Sequence, residues 1–184
     1  MKSSSIKYVL ILTLAFSVSA EKTTYKEIQW VELMPPEDIK ALYNPPKELF
    51  DIPEGSEDDE ISDQVFDTLM KTMDSGYQEA LSSTKIIESL NKAQIKIPGF
   101  VVPVKIEGDR TTEFFIVPYF GACMHYPPPP PNQTIFAKYE TGFYLNKIYE
   151  PYVFSGMLTT TIMENEIAVA AYYLQIKHIE DYKE

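Results

Sequence analysis

The alternation of apolar and polar positions changes period near Asn91. Before it, the spacing is helical. Ile39 and Leu42 share a face, Pro36 suits a first helical position, Glu37 and Asp38 suit the positive end of the dipole, and Asn44-Pro45-Pro46 stops the helix. Ser62 is placed to cap a second helix, in which Ile61 staples to Val65 and Leu69 and Met73 follow at spacing four, with Gly76 past the end. A third helical stretch, 77–90, carries Leu81, Ile86, Ile87 and Leu90, and the cluster Ser82-Ser83-Thr84 is a candidate break in it. Ahead of all three, "IQWVELM" alternates loosely, as a short strand or an extended arm does.

After Asn91 the period is two. In "QIKIPGFVVPVKIEG", Ile95 and Ile97 alternate with lysines, and Val102, Val104 and Ile106 take up the alternation on the other parity. The spacing predicts a one-residue slip across Pro98-Gly99-Phe100, where a bulge is expected. Four more strands follow in "TEFFIVPYF", "TIFAKY", "PYVFSGMLTTTIM" and "IAVAAYYLQIKHI", with turns at "EGDR" and "ENE" and a bend at Gly156. The expected fold is mainly β within the α+β class. It is a small five-stranded OB-like barrel over 91–184, preceded by a helical N-terminal segment over 21–90, in one folded unit.

Residues 1–20 stand apart from that unit. Lys2 and Lys7, the apolar run "YVLILTLAF" and the small-residue ending "VSA" read as a secretory signal peptide. The run is shorter than the roughly 20 residues that span a bilayer, so no membrane insertion is expected. No cysteine follows the cleavage point for lipid attachment, and the expected location is the periplasm. Removing residues 1–20 moves the net charge from −11 to −13, because Lys2 and Lys7 leave with them. That acidity disfavours nucleic acid and anionic membrane surfaces as partners. In "EGSEDDEISD" (54–63) a calcium loop is the sharper reading, but EF-hand ligand spacing and its turn glycine are missing, which leaves a flexible connection or solvated acidic loop.

Candidate chemistry gathers in "FFIVPYFGACMHYPPPPPNQ". The single cysteine, Cys123, stands two positions from His125, so in an extended chain both donors point to one side. Zinc is the favoured ligand and copper the alternative, with His178, Glu113 or a partner's side chain completing the shell. Against this stands a buried, inert Cys123, a small apolar filler. A thiol activated by His125 is a third possibility. CxxC, HExxH and GxSxG are all missing, so no complete catalytic motif is present and no enzyme is expected. His178 is in phase with Leu174 and Ile176, which predicts a core histidine. The run Pro127, Pro128, Pro129, Pro130 and Pro131, flanked by Tyr126 and Asn132, is expected to form a solvated polyproline II rod fit to dock a partner. Asn132 also heads the sequon "NQT".

"IKIPGFVVPVK", "FFIVPYFGACMHYPPPPPNQ", "YEPYVFSGML" and "AAYYL" together resemble the bacterial domain-of-unknown-function family 3299 over about 33–182. Cys123, His125 and the proline run match its motifs position by position, whereas His178 has no place in them. The resemblance implies a bacterial envelope protein of unassigned activity, sometimes in the company of transporter components linked to metal supply. The leading expectation is therefore a periplasmic accessory protein that binds zinc through Cys123 and His125 for an envelope transport system. The alternative is a metal-free interaction module that uses the proline loop to bind another envelope protein.

Overall fold

The computed structural model describes residues 23–43, 75–121 and 128–183. Residues 1–20, the acidic stretch 54–63 and the helix expected from Ser62 lie outside the described residues, and Gly76, expected past the end of that helix, lies inside a later one, Ser75–Leu81. In chain order the elements are β1 (Lys26–Glu27), a 3-10 turn (Trp30–Leu33), α1 (Pro36–Leu42), α2 (Ser75–Leu81), a 3-10 turn (Glu88–Leu90), β2 (Ala93–Glu107) and β3 (Arg110–Val117). A 3-10 turn (Pro131–Gln133), β4 (Ile135–Phe143), β5 (Tyr152–Thr159), β6 (Met163–Glu164), β7 (Val169–Ala170) and β8 (Tyr172–Asp181) follow.

The barrel closes because β2 is long enough to serve two neighbours. Its first half pairs antiparallel with β5, from Ala93↔Leu158 to Gly99↔Tyr152, and its second half with β3, from Phe100↔Val117 to Glu107↔Arg110. The ring then runs β3–β4, β4–β8 and β8–β5, with β4 and β8 parallel and the other pairs antiparallel. This is a closed five-stranded OB-like barrel, as the period-two pattern predicted. β1 adds a parallel edge pairing to β2 at Lys26↔Ile95.

Inward parity in β2 runs unbroken through Ile95, Ile97, Gly99 and Val101, so the slip expected at Pro98-Gly99-Phe100 does not occur. The strand changes partner there by bending, without an extra residue. Gly99 permits this, since a Cβ would press on Ile116 and on the ring of Trp30, whose Nε1–H donates to the Pro98 carbonyl at 2.7 Å. The register irregularity lies later, between Pro103 and Ile106. Val102 and Val104 face outward and join a second cluster with Phe115, Phe136 and Ala170 on the barrel's outer wall. Met163, Ala168 and Tyr173 pack on it as well, so the β6–β7 hairpin covers that wall. This explains why "EFFIV" lacks clean alternation: Phe114 and Ile116 enter the barrel core, and Phe115 enters the outer cluster.

Three further expectations are corrected. "IQWVELM" forms a 3-10 turn rather than a strand, closed by Glu32 Oε1 accepting the Gln29 N–H at 2.8 Å. The helical stretch 77–90 stops at its candidate break, Ser82-Ser83-Thr84, and does not resume as α-helix. α2 ends at Leu81, and after the Ser-Ser-Thr break Ile86 and Ile87 pack against the core from irregular backbone. "IAVAAYYLQIKHI" divides between β7 and β8, because Ala171 interrupts the ladder to donate its N–H to the Pro131 carbonyl at 2.8 Å. Among the described residues no helix is long and apolar enough to cross a membrane.

Candidate functional site

Cys123, His125, Tyr126 and Pro127 lie outside the described residues, so the structure locates the two ends of their loop only. One end leaves β3 at Pro118-Tyr119-Phe120-Gly121. There the Phe120 ring lies 5.0 Å from Tyr149 and 6.1 Å from Phe100, and both Phe120 and Tyr149 are exposed. The other end returns as Pro128–Pro131.

That return is anchored. Pro128 is exposed, Pro129 half-buried and Pro130 buried. Pro130, with φ −60 and ψ 158, keeps the polyproline II geometry expected of the run. The expectation of a fully solvated rod fails beyond it. The Pro130 carbonyl accepts from Gln133 N–H at 2.7 Å, and the Pro131 carbonyl accepts from Thr134 N–H at 3.2 Å. Asn132 is fully buried: its N–H donates to Ser83 O at 3.1 Å and its Nδ2 donates to Asp38 Oδ2 at 2.8 Å. Gln133 Nε2 donates to Trp30 O at 2.7 Å. Asn132 is therefore the foot of the loop rather than part of its exposed face. Asp38, itself 3% exposed, also lies 3.7 Å from Lys85 Nζ. Glu79, bonded to the same ammonium at 3.1 Å, is the main cause of the raised Lys85 pKa, with Asp38 adding to it.

The anchored prolines wall off two apolar clefts. One, of about 400 Å³, is lined by Trp30, Val31, Met34, Leu42, Tyr43, Leu81, Pro118, Tyr119, Pro128–Pro130 and Gln133. The other, of about 460 Å³, lies between Pro128, Pro129 and Pro131, the end of α2 at Leu81, Ser82 and Thr84, and the hairpin residues Ile167, Ala168 and Val169. Leu81, Pro128 and Pro129 belong to both. The sequence reading missed Trp30, Tyr43, Leu81 and Gln133 as members of this site. No local signal marked them, since the exposure of Tyr43 is known only from the fold.

The proposed additional metal ligands are elsewhere engaged. His178 is not a core residue; its side chain is 62% exposed, with Nε2 3.6 Å from Glu180 Oε1. A bulge is the cause: Ser155 pairs with His178 and Gly156 with Ile176, so Lys177 is an extra residue and reverses the facing of everything after it. Glu113 sits mid-strand between Lys105 and Lys138. Among the described residues, no group of three or more His, Cys, Asp or Glu side chains gathers as a metal would require.

Comparison with known proteins agrees with the resemblance read from the motifs. Residues 30–181 match the family described as "Protein of unknown function (DUF3299)". The crystal structure of a DUF3299 family protein from Pseudomonas aeruginosa PAO1 superposes with a TM-score of 0.63 at 25% identity, covering 88% of this chain and 99% of that one. No curated protein matches. With the family match spanning most of its length, this chain belongs to the DUF3299 family.

Proposed function

We propose that this protein is a non-catalytic, exported binding module of the bacterial envelope, which seats an apolar segment of another envelope protein against its proline run. One observation carries the reading: Pro128 and Pro129 form the common wall of two open apolar clefts, and the run they belong to is fastened just beyond them, where Pro130, Pro131, Asn132 and Gln133 are all hydrogen-bonded. A rigid apolar wall loses little conformational entropy on binding, which is the advantage of a pre-organised receptor. The clefts are of a size with known ligand pockets and expose rings and aliphatic side chains rather than convergent polar groups. The face that OB barrels commonly present to oligonucleotides is covered here by the β6–β7 hairpin.

The test is photo-crosslinking in intact cells with benzoylphenylalanine at Tyr43, Tyr119 or Ile167, and at Tyr144 beside Arg110 as a control at another site. The expected result is one and the same envelope protein captured at the three cleft positions through an apolar stretch, and not at Tyr144. Equal capture at Tyr144, or no capture at any cleft position, overturns the reading. Zinc or copper delivery to an envelope transporter is the competing reading, and it rests on the spacing of Cys123 and His125.

A further inference from the structure

We propose that Lys85 and Asn132 are joined by an intramolecular isopeptide bond formed on Asp38. One buried carboxylate holds both reactants. Its Oδ2 accepts from the Asn132 carboxamide at 2.8 Å, and its Oδ1 lies 3.7 Å from Lys85 Nζ. The backbone brings the same two segments together: Ser83 O accepts the Asn132 N–H at 3.1 Å, and Ser83 Oγ accepts the Lys85 N–H at 3.3 Å. An amine and a carboxamide gathered around one carboxylate react at a high effective concentration. Asn132 is fully buried, and its Oδ1 has no donor among the described residues. That carboxamide is sheltered from water.

The reaction balances with the groups present. Glu79 first, and Asp38 after it, hold Lys85 as an ammonium, so the opening step is proton transfer from Nζ to Asp38. The free amine then attacks Cγ of Asn132, and the Cγ–Nδ2 bond breaks as the new Nζ–Cγ bond forms. A second amine proton and the proton parked on Asp38 pass to Nδ2, which leaves as ammonium. Amine and carboxamide become a secondary amide, and Asp38 is returned to its carboxylate. No oxidant, metal or second substrate takes part. The Lys85 side chain, 46% exposed, has the freedom to leave Glu79 and reach inward. The product ties the segment after α2 to the foot of the proline loop.

Intact-mass and peptide-fragmentation analysis of the purified protein, with its N-terminus read in the same experiment, tests this. The expected mass is about 17 Da below that of the unmodified chain, the loss of one ammonia, with a branched peptide joining Lys85 to Asn132. Lys85→Arg keeps the positive charge and restores the full mass, and Asp38→Ala leaves Lys85 and Asn132 unlinked. Full mass in the native protein overturns the proposal. So does a 17 Da loss that persists in Lys85→Arg, or one confined to Asn132 as a cyclic imide.

Discussion

The phenol of Tyr172 joins the N-terminal 3-10 turn to the segment after α2: its O–H donates to Leu33 O at 2.9 Å and its oxygen accepts the Ile87 N–H at 2.7 Å. Tyr172 is wholly buried at the start of β8, opposite Ile135. Tyr172→Phe keeps the ring and strands a buried carbonyl and a part-buried N–H. The expected cost is about 2–4 kcal/mol, since each unsatisfied group carries its own desolvation penalty. In urea the midpoint falls with the slope unchanged; a midpoint within error of the parent refutes the bridge.

Burial raises the pKa of Tyr172 above its ordinary value of 10.0, and does the same for Tyr152, Tyr173 and Tyr77. A raised folded-state pKa means that the unfolded chain releases its protons first as pH rises. The associated stability is complete below about pH 10 and is lost as pH climbs through the folded values. Melting temperatures from pH 8 to 11 are expected to hold level and then fall, with a shallower fall in Tyr172→Phe. A rise above pH 10 contradicts the assignment.

Gly156 and Gly108 separate close approach from backbone strain. A Cβ on Gly156 would overlap the Gln175 carbonyl and crowd Ile176 at the bulge, where only backbone movement relieves it. Gly156→Ala is expected to cost about 3 kcal/mol or more. At Gly108, φ is +65 and nothing lies within 4 Å, so Gly108→Ala pays the left-handed penalty alone, about 1–2 kcal/mol. Equal chemical-denaturation losses for the two variants would contradict this difference.

Stiffness of the proline wall is expected to decide partner capture. Replacing Pro128 and Pro129 with glycine frees a backbone that must be re-ordered on binding, and a loss of about ten- to a hundredfold in affinity is expected. Stability changes little, because the anchoring bonds begin at Pro130. Titration of the captured partner segment against both proteins measures this.

Cys123→Ser is expected to leave that capture intact. Elemental analysis of the purified protein, of Cys123→Ser and of His125→Ala decides the competing reading. Stoichiometric zinc or copper in the parent, lost in both variants, moves the function to metal delivery.

What the sequence by itself determined was local or periodic. Alternation after Asn91 marked the strands, Pro36 and the residues behind it marked α1, and "EGDR" marked the hairpin at Gly108. These follow from backbone sterics and side-chain period, which act over a few residues. Four segments of the sequence taken together pointed to the family that the match over residues 30–181 shows. Tertiary structure alone decided the rest. Whether Val102 and Val104 pointed into the barrel depended on a second, outer cluster with Phe115 and Phe136. The facing of His178 depended on a bulge at Lys177, specified by a crowded crossing at Gly156 on another strand. The foot of the proline run looked solvated because the partners of Pro131, Asn132 and Gln133 come from distant parts of the chain: Trp30 and Asp38 near the N-terminus, Ser83 after α2, and Ala171 before β8. Such contacts join positions that no spacing rule along the chain connects, and burial is a property of all of them at once.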